Sequence, residues 1–243
     1  MLSKSQIKLI TSLEQKKNRE RHGLFIAEGI KGISELLNSR FELESLYTTD
    51  AKLIATPSKT SFISAAELKK ISRLKTPQVA LALFKIPESD SPKLQGLTIA
   101  LDGVRDPGNL GTIIRLCDWF GVEDLICSKN TVDCYNPKVV QATMGSISRV
   151  NVSYIDLEEL ITANPDIGIM GTFMDGENIY NSKMASNGIL VLGNEANGIS
   201  APIEKLVSHK LGIPQFGNSG ETESLNVASA AAIFLSELKR RDY

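Results

Sequence analysis

Leu97-Thr-Ile-Ala-Leu-Asp-Gly-Val-Arg-Asp-Pro-Gly-Asn-Leu-Gly-Thr-Ile-Ile-Arg115 passes from an apolar run, through a polar turn, into a second apolar pattern. Leu97 to Leu101 reads as a buried strand, and Asp106 to Arg115 as a polar island that turns into a helix. Two more islands follow runs of the same kind: Gly193-Asn-Glu-Ala-Asn-Gly198 after Ile189 to Leu192, and Ile213-Pro-Gln-Phe-Gly-Asn-Ser-Gly-Glu-Thr-Glu-Ser-Leu-Asn226 after Lys210 to Pro214. In open α/β sheets, ligands bind just beyond the carboxyl ends of the strands. The three islands are therefore expected to converge on one site.

Strand and helix patterns alternate from residue 96 onward, which predicts a mostly parallel sheet in an α/β domain. The remaining strand candidates are Asp124 to Cys127, Val150 to Ile155 and Ile167 to Phe173. Asn136-Pro137 reads as N-cap and first residue of a helix through Met144, and Ser200-Ala-Pro202 opens a helix through Val207. A last helix is expected from Ser224 to about Arg240, with small residues at 228 to 232 and cations at its end. Before residue 90 the pattern is a small mixed α/β unit: helices around Ile7 to Leu13, Ile33 to Leu37 and Ala65 to Arg73, the apolar segment Leu24 to Gly29, and strands at Leu43 to Tyr47 and Val79 to Lys85. Polar, proline-bearing Ile86-Pro-Glu-Ser-Asp-Ser-Pro-Lys93 separates the two, giving domains at 1–90 and 91–243.

With 243 residues, 42% hydrophobic and 23% charged, the chain has the composition of an ordinary soluble protein. It contains no run of eighteen apolar residues, and its first residues lack the order of a signal peptide, so a cytoplasmic location and no membrane partner are expected. Cys117, Cys127 and Cys134 match no metal spacing and are odd in number; they read as reduced, buried thiols. His22 and His209 are the only histidines and sit in no metal or triad motif, so no metal is expected. Neither a Walker A sequence nor a dinucleotide fingerprint follows the first strand of the second domain. Residues 1–31 carry seven Lys or Arg against three Glu, which fits either a solvated helix face or a phosphate-binding surface.

A site built from Asn, Arg, Glu, Ser and backbone groups remains. Arg115, six residues after Asn109, offers a permanent cation with a planar fork of donors, suited to a phosphate or a developing oxyanion; pairing with Asp118 at the surface is the alternative. Glu195, between Gly193 and Gly198, can orient Arg115 or Asn109, or cap a helix. Ser224 and Asn226 stand at a helix start, where Ser224 also serves as a plain N-cap.

The order Asp102-Gly-Val-Arg-Asp-Pro-Gly-Asn-Leu-Gly-Thr-Ile-Ile-Arg115, Val191-Leu-Gly-Asn-Glu195, Ile213-Pro-Gln-Phe-Gly and Glu223-Ser-Leu-Asn-Val-Ala228 resembles the three motifs of the SpoU (TrmH-type) RNA ribose 2′-O-methyltransferases of the SPOUT superfamily. Tyr135-Asn-Pro-Lys-Val-Val140 and Met144-Gly145 also match that pattern, and the resemblance covers residues 96–240. More weakly, the N-terminal unit is similar to an RNA substrate-binding domain of the kind found in ribosomal proteins that bind kinked RNA.

The resemblance implies S-adenosyl-L-methionine as methyl donor, a deep trefoil knot in the C-terminal domain, and a homodimer in which either subunit supplies Arg115. It implies catalytic roles for Arg115, Asn109, Glu195, Ser224 and Asn226. Cofactor contacts are implied at Thr172, Leu192, Gly193, Asn194, Ile213, Ser224, Leu225 and Asn226, with backbone amides of Gly193, Ile213 and Leu225 foremost. RNA contacts are expected from Lys16, Lys17, Arg19, Arg21, Arg105, Arg115 and Lys138. One departure stands at Gln141, where many relatives carry arginine. A dedicated add-on domain favours structured ribosomal RNA over transfer RNA as substrate. The competing readings are a transfer RNA methyltransferase, a catalytically silent RNA-binding or ribosome-assembly factor on the same fold, and a nucleotide-dependent enzyme of ordinary doubly wound topology.

Overall fold

The structure, a computed structural model, describes residues 1–53, 56–182, 187–217 and 224–241. It divides into two compact units, Met1–Glu88 with Asp133–Arg149, and Ser89–Val132 with Val150–Tyr243. The first break falls inside the expected linker. Segment 133–149, by contrast, lies within the expected second domain in sequence but packs with the first unit.

The first unit holds strands β1 (Leu24–Glu28), β2 (Leu43–Thr48), β3 (Thr60–Phe62) and β4 (Ala80–Lys85) in the order β1-β4-β2-β3. β4 runs antiparallel to β1 and β2, and β2 runs parallel to β3. Leu24-Phe-Ile-Ala and Ala80-Leu-Ala-Leu-Phe are unbroken apolar runs, so both sheet faces need cover. One face buries Leu24, Ile26, Leu81 and Leu83 with Ile10, Leu13, Leu68 and Ile71, from the neighbourhood of helices Lys4–Ser12 and Ala65–Ile71. Both helices start in a capping box, Ser3 with Gln6 and Ser64 with Glu67. On the other face Phe25 meets Phe84 at 5.8 Å, Phe41 at 5.2 Å and Tyr135 at 4.9 Å between ring centroids. The helix Pro137–Thr143 also packs on β1. Segment 133–149 thus joins the first unit because it supplies the lid that the second apolar face of this sheet requires.

Helix Lys16–His22 was not legible, because Lys-Lys-Asn-Arg-Glu-Arg-His has no apolar periodicity. It is fixed instead by Arg19, which is only 2% exposed. Its Nε donates to Asp133 Oδ2 at 2.9 Å, Nη2 bonds the same oxygen, and Nη1 donates to the carbonyls of Leu13 and Glu14 at 2.8 Å each. This corrects the expectation of an RNA-contacting Arg19: its guanidinium is interior and consumed.

The second unit holds β5 (Leu97–Asp102), β6 (Asp124–Cys127), β7 (Asn151–Tyr154), β8 (Ile169–Asn178), β9 (Gly188–Gly193) and β10 (His209–Gly212), all parallel, in the order β10-β8-β9-β5-β6-β7. This is the expected parallel sheet, with Ala100, Ile126, Ile189 and Val191 in one core with Leu157, Ile161 and Ile203. β8 runs on to Asn178 past the expected end at Phe173, since only Ile169 to Gly171 are buried and the exposed remainder has no apolar signature. That extension pairs with β10 across a close approach: a Cβ on Gly176 would lie 2.3 Å from the Leu211 carbonyl carbon. The helix after Ser200 spans only Ala201–Glu204, stopping short of Val207. Helices Pro107–Trp119 and Val227–Arg240 pack against each other.

Candidate active site

β5 ends at Asp102, and the chain turns into helix Pro107–Trp119 with Asp106 as N-cap, its carboxylate accepting from the Asn109 amide at 2.8 Å. Asn109 is thereby held in the first helical turn. Its Nδ2 donates to Glu195 Oε1 at 2.8 Å, and its Oδ1 accepts from Asn226 Nδ2 at 2.9 Å. Asn226 Oδ1 in turn accepts from the amides of Ala228 and Ser229 at 2.9 and 3.3 Å, capping helix Val227–Arg240. The chemistry at the two ends orients both amides. A carboxylate only accepts and helix-start N–H groups only donate, so each asparagine has one consistent orientation between them. The expected cap at Ser224 is corrected: Asn226 is the N-cap, and Ser224 stands two residues before it.

The second island is pinned to the end of β5. Asn194 Nδ2 donates to the Gly103 carbonyl at 2.7 Å, and its Oδ1 accepts from the amides of Ala196 and Asn197 at 3.0 and 3.2 Å. Asp102 Oδ2 accepts from the Ser200 amide at 2.7 Å. Residue 193 must be glycine, because a Cβ there would lie 2.2 Å from the Gly198 carbonyl carbon. The Asp102 carboxylate and the Gly103 carbonyl at the end of β5 therefore fix the loop that carries Glu195.

Beside this relay lies a cleft of about 640 Å³, lined by Thr172, Leu192, Gly193, Asn194, Glu195, Ile213, Ser224 and Leu225. The lining includes every expected cofactor contact except Asn226, which faces Asn109 instead, and adds Glu195, expected in a catalytic role. Sequence reasoning missed Met174, Val227 and Phe234 in the wall; nothing marked Met174, which is 65% exposed, as more than a surface residue. Residues 218–223 of the third island, Glu223 among them, lie outside the described residues.

Arg115 is exposed and makes no hydrogen bond or ion pair among the described residues, so the alternative pairing with Asp118 does not occur. Arg105 is exposed in the same unit. Lys16, Lys17, Arg21 and Lys138 are exposed on the first unit. The three cysteines are buried and form no disulfide, and burial pushes the Cys117 thiol up to about 12. Among the described residues no cluster of His, Cys, Asp and Glu is arranged to hold a metal, and no helix is long and apolar enough to cross a membrane.

Residues 96–236 match the model of the SpoU rRNA methylase family. The chain belongs to that family. Residues 4–82 match the model of an MRM3-like substrate binding domain. Among SpoU relatives, a 23S rRNA guanosine 2′-O-methyltransferase, RlmP, of Bacillus subtilis is 29% identical over 93% of both chains. A solved structure of a putative RNA methyltransferase of the TrmH family from Porphyromonas gingivalis is 38% identical, covers 99% of both chains and has a TM-score of 0.90. The S-adenosylmethionine-bound rRNA methyltransferase of Sinorhizobium meliloti is 28% identical over 99% of this chain and 96% of its own, with a TM-score of 0.87. The matched range contains all three residues of the Glu195–Asn109–Asn226 relay.

Proposed function

We propose that this protein transfers the methyl group of S-adenosylmethionine to a ribose 2′-hydroxyl of ribosomal RNA. The observation that carries the reading is the relay from Glu195 through Asn109 to Asn226, which ties the three loops together at the edge of the cleft, with Arg115 uncommitted on the helix that carries Asn109. The cleft fits the cofactor in kind: Leu192, Ile213 and Leu225 offer apolar walls for an adenine, and Gly193 lines it without a side chain. When bound, the cofactor supplies an electrophilic sulfonium methyl.

The chain's own residues then align and stabilise. A guanidinium has five donors and no acceptor, so Arg115 binds the target phosphate and stabilises the oxyanion that develops on the ribose; it does not take the proton, which leaves to water or phosphate. Asn109, Glu195, Ser224 and Asn226 hold the ribose and the loops in register, converting binding into alignment.

Lys16, Lys17, Arg21, Arg105 and Lys138 supply phosphate contacts, with RNA selection assigned to the N-terminal unit and methyl transfer to the C-terminal one. Ribosomal RNA is favoured over transfer RNA by the substrates named for the Bacillus and Sinorhizobium relatives. A homodimer, a cytoplasmic location and a trefoil knot complete the proposal.

The test supplies purified protein with S-adenosylmethionine carrying a labelled methyl, and with ribosomal or transfer RNA from cells lacking this gene. Label should enter ribosomal RNA and map to one alkali-resistant ribose. Label in transfer RNA alone would shift the substrate, and no label in either would refute the activity.

A further inference from the structure

The N-terminal unit contains a second cavity, of about 330 Å³, for which the proposed chemistry has no use. Its walls include the start of the helix Ile30–Leu37 with its N-cap Gly29, Gln78, and the end of helix Pro137–Thr143 from Gln141 to Gly145. That end is a fixed structure. The helix stops at Met144 in the left-handed region (φ 52°), and Gly145 follows at φ 99°. Only glycine fits at 145, since a Cβ would lie 2.5 Å from Glu35 Cβ, and Arg149 Nη1 holds the Glu35 carboxylate at 2.7 Å. Glu28, which lines the cavity, accepts from Ser72 Oγ at 2.5 Å and the Arg73 amide at 2.8 Å.

Both carboxylates are therefore occupied. Lys31 in the wall has no ion pair or hydrogen bond among the described residues, which leaves a cation available there. The side-chain amides of Gln78 and Gln141 likewise have no partner among the described residues. Ile30 and Met144 present apolar side chains that are 44% and 42% exposed.

This combination discriminates among ligands. A site for a free anion needs only donors, and a metal site needs only acceptors, whereas a glutamine amide offers both. A nucleobase edge carries both, its faces suit apolar neighbours, and its phosphodiester suits a lysine. Proteins that read RNA sequence do so on unstacked bases. We propose that this cavity receives one unpaired nucleotide of the RNA substrate, with Gln78 and Gln141 on the base edge and Lys31 on its phosphate. The inference rests on the RNA methylation proposed above and assigns part of substrate selection to residues outside the three motifs.

Full-length wild-type protein is compared with Gln78→Ala/Gln141→Ala and with Lys31→Gln, using ribosomal RNA from cells lacking the gene as the probe. The exposed positions predict unchanged melting temperatures. The double variant should raise KM for RNA roughly tenfold or more, in line with the loss of one recognised base, while kcat at saturating RNA and affinity for S-adenosylmethionine stay within about twofold. Lys31→Gln should raise KM and flatten its salt dependence. A wild-type KM in both variants would overturn the proposal, as would a joint shift in KM, cofactor affinity and melting temperature. If the wild-type protein methylates no RNA, the activity reading has failed, and filter binding of the same RNA decides the cavity separately. Weaker retention by the variants then supports it, and equal retention overturns it.

Discussion

Asn109 and Glu195, 86 residues apart, are joined by a hydrogen bond of 2.8 Å from the asparagine Nδ2 to the glutamate Oε1. The bond makes the amide orientation at 109 a consequence of the charge at 195, and it leaves Asn109 Oδ1 for Asn226. Replacing Asn109 by aspartate would set two carboxylates face to face. Asn109→Asp should lower kcat for methylation on the order of a hundredfold, as for other positioned polar groups in active sites, and more than Asn109→Ala. Affinity for S-adenosylmethionine, measured by calorimetry, should change little, because Asn109 lies outside the cleft wall.

Arg115→Ala should nearly abolish methylation while leaving cofactor binding intact, since the side chain is exposed, forms no hydrogen bond or ion pair among the described residues and does not line the cleft. Arg115→Lys should recover little, because an ammonium lacks the planar fork. Equal loss of cofactor binding and activity in either variant would contradict a role on the RNA side.

Asn194→Ala removes two donated and two accepted hydrogen bonds that fold the loop carrying Glu195, one of them to Glu195 itself. A cost of about 1–3 kcal/mol is expected for leaving such groups unpaired, read as a lower melting temperature together with a lower kcat. Asn194→Asp keeps the accepted bonds and turns a carboxylate toward the Gly103 carbonyl. It should fall between wild type and the alanine variant in stability, and close to the alanine variant in kcat.

Acid stability should depend on two glutamates. Glu67 is lowered from 4.5 to about 2, first by the Ser64 amide and then by the Leu2 amide and the Ser64 hydroxyl; Glu237 is lowered to about 2, first by Arg240. Folded values below the unfolded ones mean that this stabilisation is complete above pH 4.5 and is lost as pH falls through about 2. Melting curves of wild type and Glu67→Gln/Glu237→Gln should therefore be separated by a constant gap near neutral pH. The gap should close between pH 4.5 and 2.

The parallel sheet was legible because its strands are short apolar runs bounded by turns, and β6 runs from Asp124 to Cys127 as the pattern indicates. The three islands were legible as loops at strand ends. Their convergence was expected too, with Glu195 as a partner for Asn109; the link from Asn109 to Asn226 was not, because a hydrogen bond leaves no trace in local periodicity. Arg19 shows the opposite failure: a cation in a basic cluster looks like surface until Asp133, far along the chain, is found beside it. Segment 133–149 carries helix signals that were read correctly, with Asn136 capping through the Lys138 amide at 2.9 Å. No local rule tells which sheet a helix covers. The uncovered second face of β1 was the available hint.

That borrowed lid limits how the protein can be divided or recombined. The chain crosses between its two units at residues 88/89, 132/133 and 149/150, so neither unit is one continuous stretch. A fragment cut at residue 88 would leave the aromatic face around Phe25 open, and the remaining fragment would carry Tyr135 and its helix with nothing to cover. Exchange of RNA specificity between relatives by swapping the first ninety residues would fail for the same reason. The transplant has to bring both pieces from one parent, so residues 133–149 are inherited with the N-terminal unit although they are encoded inside the C-terminal one.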